Sequence, residues 1–523
     1  MILTDEMGIL KSNGADTTID GVANVNYFVN QNLGINLTGI EKAQLNRLVL
    51  FKAGGMDARI LTVGFNTRLH ENARRFDVSG RCFSMYDYFQ GVMDDETITT
   101  FDWITYWEQT CGFSLKYIPE TKDVRVFAAN GQFLMYARFY DQDYQSIEYL
   151  NYFDQRHLKI KRELFDQRGF CSQVIYLAAM QKVQAKVYLN RQGRACLEEL
   201  YDSDQKLEST LRQIIVHGHD GRDYFFNTQE ELQTFFFDTL YKAGDVYISD
   251  RNLKLAEALS KTDSAVKVCV VFHSTHTQSQ TDVLGSRIKS HYRFMLEHIT
   301  DFDRFICSTE YQKRDLLERF PDLPVVAIPV GFTRPQVLAP EKRQPNRIIG
   351  VARYAPEKQV MHQAVAVSKL VAEFPDVQLH LFGYGSQEKE LRDFIETHHL
   401  EKNIFLRGFY PDLTTEYQMA SLALLTSREE GFSLATLEAQ NFGVPVISYD
   451  VRYGPSELIQ DGENGFLVTA NDQNELYEKI RDYLRQPDLQ EHFRRESLAT
   501  AEKFSVTAVT KKWQDLIRDV LAN

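Results

Sequence analysis

A strand–helix rhythm that starts, breaks off, resumes and then begins a second time constrains this chain more than any other feature. Residues 25–29 read as a strand, 32–39 as a loop with two glycines, about 40–52 as a helix with apolar residues at helical spacing, and 58–63 as the next strand. Such a βαβ opening can bring backbone close to phosphate through its glycine loop, although a plain tight turn fits the same residues. From about residue 66 to 215, alternating aromatic-rich runs replace the rhythm (124–128, 133–140, 147–153, 172–177 and 185–189). Ala129-Asn-Gly, Gln167-Arg-Gly and Arg191-Gln-Gly separate them as turns, so period-2 alternation predicts an antiparallel meander inserted into a βα domain. A sheet with aromatic faces buries one of them on something else, a copy of itself being one candidate. The βα rhythm returns with 213–217, 245–249, 266–272, 304–308 and 325–329, and Pro335 to Pro345 reads as a linker. A second series follows at 347–351, 378–382, 404–406, 422–425, 444–448 and 465–468.

The predicted fold is therefore α/β: two doubly wound Rossmann-like domains with an antiparallel insertion in the first. Residues 1–65 and 216–335 form the N-terminal domain, 66–215 the insertion, 346–505 the C-terminal domain and 506–523 a terminal helix. Two such domains place a ligand cleft at the carboxyl ends of their parallel strands.

Composition narrows the function. A net charge of −13 gives no general basic field, which disfavours nucleic-acid binding and means that a polyanionic substrate needs a local cation patch. The six cysteines are scattered without metal-ligand spacing and read as reduced core thiols. No basic n-region with an apolar run opens the chain, and no run approaches the roughly 18 apolar residues of a membrane span. A soluble, cytoplasmic protein is the expectation, with residues 1–22 as a loosely ordered polar tail.

Chemistry-bearing residues gather at predicted strand ends. Ser427-Arg-Glu-Glu-Gly-Phe-Ser-Leu-Ala-Thr-Leu-Glu-Ala-Gln440 reads as a loop leaving a buried strand and opening a helix, whose first N–H groups make an anion site. Glu430 lies in that loop and Glu438 on the helix, a pair that suits the ribose and the sugar of a nucleotide-sugar. An ordinary strand–loop–helix junction with solvated glutamates reads the same. Arg353 and Lys358, after strand 347–351, could hold a diphosphate, or be plain surface cations. Gly408-Phe-Tyr-Pro411 could read a base edge through backbone, His273 and His276 end a buried strand, and 449–457 with 461–465 read as closing loops or structural turns. No Gly-x-x-x-x-Gly-Lys-Ser/Thr loop is present, which argues against a P-loop NTPase. Asp94-Asp-Glu96 lies near no strand end and is a poor metal site.

Together Arg353-x4-Lys358 and Glu430-x7-Glu438 make residues 345–505 resemble the retaining GT-B glycosyltransferases of family 4, and Thr38-Gly39 and His273 match that family's N-terminal site positions. The aromatic runs at 83–89, 147–153 and 165–170, with Tyr453-Gly-Pro-Ser-Glu457, are most similar to the wall teichoic acid α-glycosyltransferases. The resemblance implies a hexosyltransferase that moves glucose or N-acetylglucosamine from a UDP-sugar, in α linkage, onto poly(glycerol phosphate) or poly(ribitol phosphate). Glu430, Arg353, Lys358 and His273 would be catalytic. Gly39, His276, Tyr410, Ser433, Leu434, Ala435 and Glu438 would bind substrate: Glu438 the ribose, Tyr410 the uracil by backbone, the helix start at Leu434 the diphosphate. No metal or cofactor is expected beyond the donor. The implied partners are the polymer acceptor and further copies of the chain, up to a trimer, through the insertion, with no nucleic acid and with peripheral docking at the inner face of the cell membrane. Arg156-His-Leu-Lys-Ile-Lys-Arg162 is the candidate cation run for a polyanionic acceptor. The alternative is the related catalytic subunit that adds N-acetylglucosamine to serine-rich adhesins, whose insertion binds a partner subunit.

Overall fold

The computed structural model describes residues 24–202 and 209–522, so the predicted polar tail lies outside the described residues. They form two compact units, 42–57 with 269–522, and 24–41 with 58–268.

In the first unit, six parallel strands form a sheet in the order Ile404–Gly408, Gln378–Phe382, Arg347–Val351, Leu422–Leu425, Val446–Tyr449, Gly465–Val468. All four residues of Leu422–Leu425 and of Val446–Tyr449 are buried, as expected where helices cover both faces of a parallel sheet. Ala364, Val367 and Leu370 of helix Val360–Leu370 pack on one face against Ile348, Leu379 and Leu381. Ala439, Tyr417 and Phe442 cover the other against Ile349, Ala423 and Leu425. The first strand in sequence lies beside the fourth, so the chain leaves these neighbours toward opposite faces and opens a crevice at their carboxyl ends. Residues 352–358 and 426–433 are the two loops there. The 335–345 segment is strapped onto this sheet's periphery: Ser421 Oγ donates to the Pro345 carbonyl at 2.6 Å, and the Arg343 guanidinium to the carbonyls of Phe442 and Gly443 at 2.9 Å each.

The same unit holds the parallel strands Arg304–Cys307 and Val325–Ala327 and, from Cys269 onward, strand Val268–Val271, which pairs with the first of them. The terminal helix Val506–Ala522 docks by Trp513, whose ring lies 5.4 Å from that of Phe51, under the Arg47 guanidinium at 4.8 Å.

In the second unit, ten described strands from Ser114–Tyr117 to Arg222–Phe226 form one antiparallel sheet in which each strand pairs with its sequence neighbours. Met135, Ala137 and Phe139 alternate inward and join Val124, Val126, Ile147, Leu150 and Trp107 in a core. Two predicted boundaries shift. Residues 213–217, read as the first strand of the returning βα series, belong to Thr210–His219, which pairs antiparallel with Ala195–Asp202 and Arg222–Phe226. Residues 66–89 continue the α/β part: helix Leu69–Arg75 leads to Cys82–Ser84, which pairs parallel with Asp57–Thr62. A capping box of Ser84 and Asp87 then opens helix Met85–Phe89.

Candidate active site

The two loops at the crevice are fastened to each other by backbone. Thr426 Oγ1 donates to the carbonyls of Lys358 and Gln359 at 3.0 Å, and the Arg428 N–H to the Glu357 carbonyl at 2.8 Å. This brings Lys358 and Glu430 together: the Lys358 ammonium donates to Glu430 Oε1 at 2.6 Å, and Ser427 Oγ donates to the same oxygen at 2.6 Å. Both side chains are largely buried, at 21% and 14% exposure, so the pair is stronger than a solvated one.

Helix Leu434–Asn441 starts from Ser433, which is buried and left-handed at φ 71°. A non-glycine residue pays about 1–2 kcal/mol for that conformation and keeps it only where its surroundings impose it. Here Ser433 Oγ is hydrogen-bonded to Thr436 Oγ1 at 2.7 Å. Among the described residues no acceptor lies on the N–H of Leu434 or Ala435, and both are partly accessible. Two unmet donors at the positive end of a helix, with Lys358 in the facing loop, have the chemistry to receive an anion.

Arg353 is 70% exposed and pairs with Glu357 at 2.7 Å, a solvated bond that holds it loosely. Glu438 is exposed, with Oε2 accepting from Tyr417 Oη at 3.4 Å. Tyr410, half-exposed, sets its edge 5.3 Å from the ring of Phe382. Beside it, exposed Tyr384 and Phe409 meet edge-on at 6.2 Å. Sequence reading passed over Tyr384, although it follows a strand end as the other site residues do.

From strand Val268–Val271 the chain continues into His273, whose N–H donates to Tyr292 Oη at 2.9 Å and whose carbonyl faces Gly431. A Cβ on Gly431 would lie 2.9 Å from that carbonyl oxygen. Gly431→Ala should therefore push the Glu430 loop off the His273 segment and lower turnover about tenfold or more, with the melting curve little changed. Turnover within about twofold of the wild type, in the same assay, would show that this close approach carries no function.

His276 is corrected by the structure. It was expected to touch substrate, yet it is fully buried, parallel to the Tyr453 ring at 6.0 Å with Nδ1 3.3 Å from Tyr453 Oη. Burial, with Arg319, Lys289 and Arg452 nearby, lowers its pKa to about 4, so the ring is neutral and supports the loop. Its strand-end position is real, but the chain turns inward after Ser274.

Gly39 lies in the second unit and opens helix Gly39–Ala53, with open space above its Cα. Thr38 N–H donates to Glu41 Oε2 at 2.8 Å. Burial opposes ionisation of Glu41, but hydrogen bonds from Arg251, Thr38 and Asn30 outweigh it and hold its pKa at about 2. In the acidic triplet, Asp94 pairs with Arg59 at 3.0 Å, Asp95 with Arg191, and Glu96 with His70 at 3.0 Å. The cation run is also engaged: Arg156 with Asp154 at 3.1 Å, Lys161 with Glu163 at 2.8 Å, and Arg162 with Asn151 at 2.7 Å.

Residues 334–499 match the family model of the glycosyl transferases group 1. The chain is 28% identical to the UDP-N-acetylglucosamine–peptide N-acetylglucosaminyltransferase GtfA subunit of Streptococcus gordonii, over 94% of this chain and 98% of that relative. It is 25% identical to the poly(glycerol-phosphate) alpha-glucosyltransferase of Bacillus subtilis strain 168, over 93% and 74%. Among solved structures, a chain of the GtfA/B complex superposes with a TM-score of 0.84 at 25% identity, covering 96% of this chain and 100% of that one. TarM superposes at 0.77 and 20% identity, covering 95% and 99%, which shows a shared fold.

Proposed function

Since this chain is a GT-B glycosyltransferase with a group 1 domain, we propose that it moves glucose or N-acetylglucosamine from a UDP-sugar, in α linkage with retention, to a hydroxyl of a polyol-phosphate polymer of the wall teichoic acid kind. The observation that carries the reading is the Lys358–Glu430 pair set in the loops beside the open first turn of helix Leu434–Asn441. In this reading the diphosphate lies over the Leu434 and Ala435 N–H groups, next to Ser433. Lys358 turns from Glu430 to a phosphate oxygen, and Arg353 swings in from its solvated pair. Freed of the ammonium, Glu430 accepts from a sugar hydroxyl. Glu438 receives the ribose, the backbone at Tyr410 the uracil, and His273 the sugar from the other side. The bond from the anomeric carbon to the β-phosphate oxygen breaks while the acceptor oxygen bonds that carbon on the same face. The departing phosphate takes the acceptor's proton, and the cations and helix start stabilise its charge.

A second reading takes a serine-rich protein as the acceptor. It is favoured by the nearly end-to-end match to the peptide transferase subunit, 98% of its length against 74% for the polymer enzyme. The pairing of Lys161 with Glu163 and of Arg162 with Asn151 on the sheet also leaves that run less free for a polyanion. Self-association through the ten-stranded sheet belongs to the first reading and a partner subunit to the second. Among the described residues no helix is long and apolar enough to cross a membrane, and a place at the inner membrane face is part of the first reading.

The test is UDP release by the purified protein from UDP-glucose and UDP-N-acetylglucosamine, against poly(glycerol phosphate), poly(ribitol phosphate) and a Ser/Thr-rich peptide, with its mass in solution measured on the same sample. Turnover on a polymer by a self-associated enzyme is the expected result. Turnover on the peptide alone moves the assignment to the second reading, and no release with any acceptor overturns both.

A further inference from the structure

Glu429 precedes Glu430 and points a different way. Its Oε2 accepts from Thr275 Oγ1 at 2.9 Å, from Gln280 Nε2 at 3.2 Å and from the Lys289 ammonium at 3.0 Å, and Lys289 also donates to Thr275 Oγ1 at 2.6 Å. Glu429 itself is 40% exposed, but Lys289 is 17% exposed and Thr275 buried, so the network is shielded from solvent at its Lys289–Thr275 end. Burial alone would raise the Glu429 carboxyl, but its bonds from Lys289, Thr275 and Gln280 hold it below the usual carboxylate range, and it is ionised at neutral pH.

A second anchor lies on the other side of Glu430. Its N–H donates to the Arg452 carbonyl at 3.0 Å, and the Tyr453 N–H donates back to the Glu430 carbonyl at 2.5 Å. The Arg452 guanidinium in turn donates to Asp315 Oδ2 at 2.7 Å and to the Gln280 carbonyl at 2.5 Å. Glu430 thus hangs between two ionic anchors, and both reach Gln280 in the segment that follows His273.

We propose that the Glu429–Lys289 pair is a latch that sets Glu430 against the His273 segment, making Glu429 and Lys289 positioning residues for sugar transfer. The inference rests on the transferase reading above. Neither residue needs to touch substrate. Their effect runs through the one-residue step to Glu430, so the latch governs the geometry of the reacting complex more than the hold on UDP.

The experiment measures kcat and KM for UDP release, and UDP affinity by calorimetry, in full-length Glu429→Gln, Lys289→Met, the double variant and the charge swap Glu429→Lys/Lys289→Glu. Each single variant should lose about 10- to 100-fold in kcat, the range expected of a small misplacement, with UDP affinity unchanged because Lys358, the helix start and Glu438 are intact. The double variant should be no worse than the weaker single, as two halves of one interaction. The swap should regain most of the rate, since the Thr275 hydroxyl and Gln280 amide can each donate or accept. Full kcat in either single variant, or a swap as slow as the singles, overturns the latch while the transferase reading stands. A wild type that releases no UDP overturns the transferase reading, and the latch with it.

Discussion

Glu430→Gln should lower kcat for sugar transfer by about 100-fold or more, while UDP binds as well as in the wild type or more tightly. The two effects have one cause. In the structure, Glu430 Oε1 receives both the Lys358 ammonium and Ser427 Oγ at 2.6 Å, so the carboxylate occupies the cation that a diphosphate needs. Glutamine keeps the shape and removes the charge, which in the proposed site releases Lys358 toward phosphate and deprives the sugar of an ionised acceptor. Lys358→Met should do the opposite at the binding step, raising KM and weakening UDP, with kcat falling as well because the leaving phosphate loses a fixed cation. Steady-state UDP release with UDP calorimetry separates the two variants. A Glu430→Gln enzyme within about threefold of wild-type kcat would remove Glu430 from the catalytic set.

The strands that carry this site were the most legible part of the chain. Residues 347–351, 378–382, 422–425 and 465–468 match the predicted bounds, and Leu422–Leu425 shows the reason most plainly, a strand buried on both faces that reads as an unbroken apolar run. Lys358 and Glu430 fall together because each follows one of the two adjacent strands at the reversal of the sheet order. What stayed hidden follows from the same physics. Cys82–Ser84 is three residues long and shows no period. In Thr210–His219, the run Ile214-Ile-Val reads as a buried parallel strand, yet only Ile214 and Val216 are buried and their neighbours are not, the signature of an antiparallel strand with one covered face. His276 shares its strand end with His273 and differs only in which way the chain turns. Glu429 and Lys289, 140 residues apart, and Arg168 and Asp87, 81 apart, find each other through tertiary structure, and no local spacing announces such pairs.

Arg168→Met should be the most destabilising single change in the second unit, by about 3–5 kcal/mol. Arg168 sits in the turn between strands Lys159–Phe165 and Cys171–Leu177 and is fully buried. Its guanidinium donates to Asp87 at 2.5 Å, to Asp166 at 2.8 and 3.1 Å, and to the carbonyls of Val92 and Asp95 at 2.9 Å. It therefore ties the inserted sheet to helix Met85–Phe89 within that unit, and methionine would fill the space while depriving two buried carboxylates of the guanidinium charge and the carbonyls of Val92 and Asp95 of its N–H groups. His70 completes the cluster, with Nε2 3.3 Å from Asp87 and Nδ1 3.0 Å from Glu96. Burial would lower the His70 pKa, but Asp87 and Glu96 raise it above the ordinary value despite Arg168. Burial would raise the Asp87 pKa, but His70 and Arg168 lower it. The histidine's contribution is complete below the unfolded imidazole value of about 6.5 and is lost as pH rises through the higher folded value. The aspartate's is complete above about 3.9 and is lost as pH falls through the lower folded value. Wild-type stability of this unit should therefore peak between those limits, and Arg168→Met should lose its acid limb at higher pH, since Asp87 keeps only one cation. Of the three tryptophans, Trp103 and Trp107 lie in this unit and Trp513 in the other, so urea unfolding followed by tryptophan fluorescence in a Trp513→Phe background reads it alone. An Arg168→Met midpoint equal to the parent's across that pH range would mean that the cluster is held by packing and not by charge.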